Sequence, residues 1–272
     1  MSTSIVDAEL DYRAFRAPEV PGDLINYVCG HYDFDEFLRS GIEVATLISI
    51  ASRRYFGKDL TEFERILDFG CGCGRLLRFF RPAWPRLYCC DVGEKVITYS
   101  KSSYDCADIY RNDLKPPLKY DSAAFSAIYS FSVFSHLRLD AEEEWLEELQ
   151  RIAAPGCPMF ITVHGDWFIE KVLSDDELGK ALREGYFYKK TYEGNWFPEY
   201  YQFSCHTSGY IRKNWSRYFD ILDVIKGDDA MRYAYDETSR ALCHKIRPLG
   251  QDMVIARART VRQVAGLGTS TC

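Results

Sequence analysis

Ile66-Leu67-Asp68-Phe69-Gly70-Cys71-Gly72-Cys73-Gly74-Arg75 is the stretch that decides the fold. A short apolar run stops at an acid, three glycines alternate with cysteines, and a helical pattern follows. That order reads as a strand, a tight turn and a helix start. Glycine tolerates positive φ and lets a ligand approach the backbone, and a helix N-terminus offers free N–H groups. The loop is therefore a binding turn of the nucleotide type, or only a sharp bend.

Downstream, the pattern predicts a helix over Arg75–Phe80, stopped by Pro82 and Pro85. Arg86 to Asp91 is a second apolar run ending in an acid, 23 residues after Asp68. Strand, loop, helix and strand make the unit of a doubly wound α/β fold, with an acid near where such folds hydrogen-bond a ribose. Lys95 to Ser103 reads as a helix, Asp108 to Leu114 as a third strand and its exit, and Phe125 to Ser130 as a fourth strand. Asp140 with Glu143 three residues on is a capping box. The helix it opens has the apolar stripe Trp145, Leu146, Leu149 and Ile152. Six acids between Asp140 and Glu148 read as dipole complementation and a solvated face. Met159 to His164 is a fifth strand.

Upstream, Phe34 to Arg54 is helical, with Val44, Leu47, Ile48 and Ala51 on one face. Gly41 interrupts it and marks either close helix packing or approach of a ligand. Residues 1 to about 20 are a polar arm; Asp23 to Asp33 is short and mixed, with Leu24, Ile25, Tyr27 and Val28 as buried positions. After residue 164 the alternation stops. Asp166 to Arg183 has helical character, and nine of the 18 residues from Tyr186 to Phe203 are aromatic. Ser208 to Trp215 is a further helix, and Tyr218 to Ile225 and Met253 to Ala258 are the last strands.

The composition is that of an ordinary globular chain of 272 residues, 47% hydrophobic and 27% charged. A net charge of -6 argues against nucleic acid as a partner. No apolar run approaches the roughly 20 residues that span a bilayer, so no membrane association is expected. The N-terminus lacks a basic start and an apolar stretch, and the ten cysteines are scattered through apolar segments. Both features point to reduced thiols and a cytoplasmic setting.

Four marks fall at the carboxyl ends of four consecutive predicted strands: the glycine loop, Asp91, Asn112-Asp113, and Ser130 to His136. Ligands bind at that edge of an open parallel sheet. On these residues the chain resembles the class I S-adenosylmethionine-dependent methyltransferases, closely over about residues 62 to 164 and more loosely over 218 to 258. The resemblance implies a three-layer α/β sandwich, doubly wound, with a seven-stranded, mostly parallel sheet whose last strand is antiparallel. A cap of helices and aromatic residues completes it. The implied organisation is 1–60 arm and cap helices, 61–164 cofactor-binding core, 165–215 aromatic insertion or lid, 216–260 terminal strand pair with insertion, and 261–272 disordered tail.

The resemblance also implies roles. S-adenosyl-L-methionine is the cofactor. Asp68 with the loop Gly70, Cys71, Gly72, Gly74 and Arg75 would hold its methionine part. Asp91 would accept the ribose hydroxyls. Asn112 or Asp113 would meet the adenine edge, Val92 and Leu114 would flank the ring, and Ser130 and Phe131 would lie at the sulfonium side. The residue types suit this cofactor: a diol needs an acceptor-only acid, and no phosphate means no P-loop lysine. A dinucleotide loop wants G-x-G-x-x-G, whereas this one is compressed and preceded by Asp68, which repels phosphate.

No metal is expected. Cys71-Gly72-Cys73 and Cys89-Cys90 lack the spacing of structural zinc ligands and read as small apolar filling. Three histidines are candidate general bases for an acceptor: His164, His206 and His136. Each is also readable as a hydrogen-bonded structural histidine, the reading that outweighs a catalytic one for His136, whereas His164 and His206 are better placed for the acceptor side. The aromatic run, Tyr186, Phe187, Tyr188, Tyr192, Trp196, Phe197, Tyr200, Tyr201 and Phe203, is a lid over an acceptor pocket, a satellite core, or a dimer contact. Met231, Arg232, Tyr233, Tyr235 and Lys245 could complete that pocket. The expected partner is a small-molecule acceptor, methylated on oxygen or nitrogen, and the chain is expected as a monomer or homodimer. Acceptor specificity is expected to reside in residues 165 to 251.

Overall fold

The structure, a computed structural model, describes residues 15–16, 18–190, 202–229 and 250–259. The readings placed on residues 1–14, on Tyr192 to Tyr201, on Met231 to Lys245 and on the tail lie outside that set.

A short helix, α1 (Gly22–Cys29), and a long one, α2 (Phe34–Phe56), precede the sheet. The core then runs β1 (Ile66–Phe69), β2 (Leu87–Asp91), α3 (Glu94–Ser103), β3 (Asp108–Arg111), β4 (Ala127–Ser130), α4 (Leu139–Ile152) and β5 (Pro158–Val163). An insertion follows: α5 (Asp166–Val172), α6 (Asp175–Glu184), β6 (Tyr186–Lys189), β7 (Phe203–His206) and α7 (Ser208–Asn214). β8 (Phe219–Ile225) and β9 (Asp252–Ala258) close the sheet. Its order is β3-β2-β1-β4-β5-β9-β8, and β9 runs antiparallel to both neighbours. This is the expected seven-stranded arrangement.

The period-2 alternation of the strands feeds two cores. Ile66, Cys89, Tyr129, Phe160 and Ile255 face α1, α2 and α3. Leu67, Cys90, Ile128, Ile161 and Val254 face α4 and Trp215. Both faces are covered, so the strands read as continuous apolar runs rather than alternating ones. Helix α2 is fixed at both ends. Tyr55 donates to Asp223 at 2.6 Å, and a Cβ on Gly41 would sit 2.3 Å from the Arg75 carbonyl. Gly41 therefore serves close packing.

Four expectations are corrected. Asp23 to Asp33 holds a helix, α1, flanked by Pro21 and by Gly30 at φ +74; proline before and glycine after is the signal that marks it. The helix after the glycine loop does not stop at Pro82. Leu77–Arg86 forms 3-10 turns through both prolines, broken only at Phe80, because tight turns need fewer of the N–H bonds that proline lacks. Asp140 caps nothing: α4 begins after Arg138, whose guanidinium grips Asp140 through two bonds of 2.6 Å. The acids of α4 are not all solvated either. Glu142 is fully buried, and Glu148 is buried against Arg151 and the Leu118 N–H.

Phe187 and Phe203 of the aromatic run pack with Ile169, Ala181 and Cys205 in a small third core. β6 and β7 pair as an antiparallel ribbon, Tyr186 opposite His206.

Candidate functional site

The parallel register sets the site. β1, flanked by β2 and β4, delivers Asp68 and the loop to the carboxyl edge of the sheet. Gly70 and Cys71 both donate to the Cys90 carbonyl, at 2.9 and 3.0 Å, so the turn folds back over the end of β2. Gly70 has φ +84, and a Cβ there would fall 2.1 Å from Val133. Gly74 has φ +83, and its Cβ would fall within 2.4 Å of the Tyr104 ring. No residue with a side chain fits either position.

One cleft lies against this loop. Ten of the thirteen residues expected to hold a cofactor line it: Asp68, Gly70, Cys71, Gly72, Arg75, Asp91, Val92, Asn112, Leu114 and Phe131. Gly74, Asp113 and Ser130 do not. Gly74 packs on Tyr104, Asp113 is exposed, and Ser130 is buried with its hydroxyl on the Phe69 carbonyl at 2.9 Å. Tyr27 and Val28 of α1, together with Ser132, Val133, Leu137 and Trp145, also line the cleft. Ser132 and Val133 fall within the Ser130 to His136 mark; Tyr27, Val28, Leu137 and Trp145 are the lining residues that the sequence marks missed. Ser132 carries its own sign, φ +62 in a residue with a side chain, the kind of local strain that collects at functional sites.

Asp91 accepts from the Gly72 N–H at 2.9 Å and the Gly93 N–H at 2.8 Å, one on each oxygen. Burial raises its pKa and those two bonds oppose the rise. Each oxygen keeps a lone pair for a further donor. Asp68 is 1% exposed and accepts from the Tyr129 hydroxyl at 2.9 Å. Burial, against the opposing Tyr129 bond, pushes its carboxyl up to about 8. Asn112 donates to the Asp113 carbonyl at 2.7 Å, which leaves its amide oxygen for a ligand. The Arg75 guanidinium lies 4.0 Å over the Phe131 ring.

The three candidate bases stand outside the cleft lining. Residues 202–206 run across the ends of β4 and β5: Gln202 N–H bonds the His136 carbonyl, Ser204 N–H that of Ser135, and His206 N–H that of His164. The same segment fixes two imidazoles. His136 Nδ1 meets the Gln202 carbonyl at 2.7 Å, and His164 Nδ1 meets the Ser204 carbonyl at 3.2 Å. A carbonyl only accepts, so each Nδ1 carries the proton and each Nε2 keeps a lone pair. Burial lowers the pKa of His136 to about 4 and of His164 to about 3. His206 is placed differently. Its Nε2 is bonded to the buried Glu142, which also accepts from Trp215 Nε1 at 2.8 Å and the Tyr210 hydroxyl at 3.3 Å. That nitrogen is not open to an acceptor.

The described cysteines are free thiols, with Cys71, Cys73, Cys89 and Cys90 buried. Among the described residues no group of three metal-ligating side chains converges, and no helix is long and apolar enough to cross a membrane.

Residues 66–156 match the family model described as a methyltransferase domain. Solved structures share the fold at low identity. A chain of the Haloferax volcanii complex between the Trm112 methyltransferase activator and its presumed methyltransferase aligns at TM-score 0.53 and 15% identity, covering 89% of this chain and 100% of that one. Geranyl diphosphate C-methyltransferase from Streptomyces coelicolor aligns at 0.50 and 12%, covering 93% and 88%. The [4+2]-cyclase SpnF aligns at 0.50 and 16%, covering 96% and 98%.

Proposed function

Because the chain belongs, through residues 66–156, to the class I S-adenosylmethionine-dependent methyltransferases, we propose that it transfers a methyl group to an oxygen or nitrogen of a small-molecule acceptor. One observation carries the proposal. The glycine loop, Asp68, Asp91, Asn112, Val92, Leu114 and Phe131 form one continuous wall, and no lysine is among the described lining residues. Two acids and one arginine suit an aminoacyl sulfonium nucleoside better than a pyrophosphate.

S-adenosylmethionine, when bound, supplies an electrophilic methyl on sulfur. The remaining work falls to the protein. Asp91 accepts the ribose hydroxyls on the lone pairs its backbone partners leave. Val92 and Leu114 flank the adenine, with Asn112 at its edge. Asp68 and the loop backbone hold the methionine part, and Phe131 lies beside the reacting centre. The acceptor must be held in line and must lose a proton. His136 and His164 are the candidates for that proton, each with its tautomer set by the segment 202–206. His206 is assigned to anchoring that segment on Glu142.

A second reading, cofactor binding without methyl transfer, has one observation in its favour: the same fold serves a protein described as a cyclase. Calorimetry with S-adenosylhomocysteine on the intact protein and on Asp91→Ala tests the cofactor. Expected is binding by the first and a loss of about tenfold or more by the second. A screen of metabolites for S-adenosylhomocysteine release then decides turnover. Binding with no release from any acceptor favours the second reading, and no binding rejects both.

A further inference from the structure

Cys71, Cys89 and Cys106 form a run of three free thiols that crosses one core from the cleft to the surface. Cys71 lines the cleft. Cys89 is fully buried on β2, between β1 and β3. Cys106, on the turn between α3 and β3, is half-buried, with exposed Asp105 and Ala107 on either side. The Cys89 thiol is hydrogen-bonded to both of the others. Cysteine as small apolar filling accounts for burial. It does not account for three thiols in a row, the last of them open to solvent.

Position divides the chemistry among them. Against the opposing Cys89 bond, burial pushes the Cys71 thiol up to about 11, and burial holds that of Cys89 well above the usual range. Neither forms the thiolate that attacks an oxidant directly. Water reaches Cys106, so an oxidant enters there. A hydroperoxide takes the Cys106 thiol to its sulfenic acid and is itself reduced to water or an alcohol. The Cys89 sulfur then attacks the Cys106 sulfur. An S–S bond forms, the S–O bond breaks, and the Cys89 proton leaves with the hydroxyl as water. Contact between the sulfurs offsets the high pKa, since groups held together react as if very concentrated. Cys71 attacks Cys89 in turn, the Cys89–Cys106 bond breaks, and Cys106 takes up the proton that Cys71 gives up. The charge of the leaving sulfur is best carried at Cys106, where solvent meets it.

Resting its effect on the S-adenosylmethionine reading above, we propose that Cys106 is a redox modification site whose oxidation ends as a Cys71–Cys89 disulfide in the glycine loop. A disulfide draws its two sulfurs to about 2 Å, well inside their contact distance, and Cys71 moves with it. The next residue, Gly72, donates its N–H to Asp91 at 2.9 Å. The wall that takes the cofactor is therefore pulled out of shape while the disulfide lasts, and a thiol reductant restores it.

The full chain is treated with stoichiometric hydrogen peroxide, free thiols are blocked with iodoacetamide, and linkages are mapped by mass spectrometry. Affinity for S-adenosylhomocysteine is measured by calorimetry before oxidation, after it, and after dithiothreitol. Expected are a Cys71–Cys89 linkage, an alkylated Cys106, and an affinity lower by about tenfold or more that dithiothreitol returns. Cys106→Ser is expected to bind as the wild type does and to stay reduced under the same dose. Cys89→Ala is expected to hold Cys106 as a sulfenic acid that dimedone traps, with no linkage in the trio; should it fail to fold, Cys106→Ser decides alone. A linkage other than Cys71–Cys89, or a trio that stays fully alkylatable, overturns the proposal. So does oxidation of Cys106→Ser at the wild-type rate, which would place the entry elsewhere. A Cys71–Cys89 linkage that leaves the affinity unchanged overturns the effect on the cofactor wall. If the reduced wild type does not bind S-adenosylhomocysteine, the cofactor reading itself falls, and the linkage map alone decides the modification.

Discussion

Asp68 lies next to the end of a fully buried strand and lines the cleft, so two demands meet on one carboxyl. Burial favours the neutral acid and pushes it up to about 8, whereas a cationic ligand favours the carboxylate. Binding therefore expels a proton at neutral pH. Affinity for S-adenosylmethionine is expected to rise with pH and level off above about 8, where the free site is already ionised. Calorimetry in two buffers of different ionisation enthalpy reads the released proton directly, and an affinity flat from pH 6 to 9 would sink the idea. The same shift weakens the ligand-free fold as pH rises from about 4 to 8, since the unfolded acid ionises first. Asp68→Asn is thus expected to lose binding yet melt higher at pH 8, by about 1–2 kcal/mol or roughly 2–8 °C. Asp68 and Asp91 were legible because each follows an apolar run at a strand end. Glu142 was not. Its spacing looks like a solvated helix face, and its partners His206, Tyr210 and Trp215 lie 64 to 73 residues away, where no local pattern reaches.

Among the elements, the glycine loop and the segment before it act as one piece. Phe15, Pro18 and Glu19 are tied to the core by side chains gripping their carbonyls, and Val20, Leu24 and Ile25 are buried in it. Arg78, 2% exposed, donates to Phe15 and Pro18 as well as to the Gly74 carbonyl and the Tyr104 hydroxyl. Tyr99 donates to the Glu19 carbonyl at 3.0 Å. The loop's glycines are therefore felt beyond the cleft. Gly74→Ala meets the Tyr104 ring as well as a positive φ and is expected to cost about 2–4 kcal/mol. Gly30→Ala has φ +74 but nothing within 4 Å, so only the backbone strain remains, about 1–2 kcal/mol. Urea unfolding of the two variants checks the difference; equal costs would mean the Tyr104 contact gives way. The parallel strands were readable from their apolar runs and terminal acids. α1 was not, because eight residues give barely two turns of periodicity. The β6–β7 ribbon was hidden because its pairing joins residues 186–189 to 203–206 across a run of aromatics in which alternation cannot be seen.

For the molecule as a whole, buried acids and buried histidines act oppositely on stability as pH falls. His136 and His164 are held neutral, at about 4 and about 3, so below pH 6.5 the unfolded chain takes protons the fold refuses, and stability is lost. Asp68 at about 8 and Asp252 at about 6 do the reverse. The fold keeps protons that the unfolded acids, near 3.8, have released, so stability grows on acidification. Asp91 is raised for the same reason and acts in the same sense. From pH 7 to 5 the two histidines withdraw up to about 4 kcal/mol, and Asp68 with Asp252 return about as much. The fold is thus expected to hold nearly constant stability over that range as far as these groups decide it. Substituting Asn for both histidines keeps a donor near each Nδ1, toward the Gln202 and Ser204 carbonyls, while removing the titration. The double variant is expected to be weaker than the wild type at pH 7, from lost packing against Phe168 and Phe203. It should then gain on the wild type by up to about 4 kcal/mol on going to pH 5. Urea midpoints at the two pH values, converted with each protein's own slope, measure this directly. Parallel pH profiles for the two proteins would show that the imidazoles are not held neutral, and the tautomers assigned to them by the 202–206 segment would fall with that.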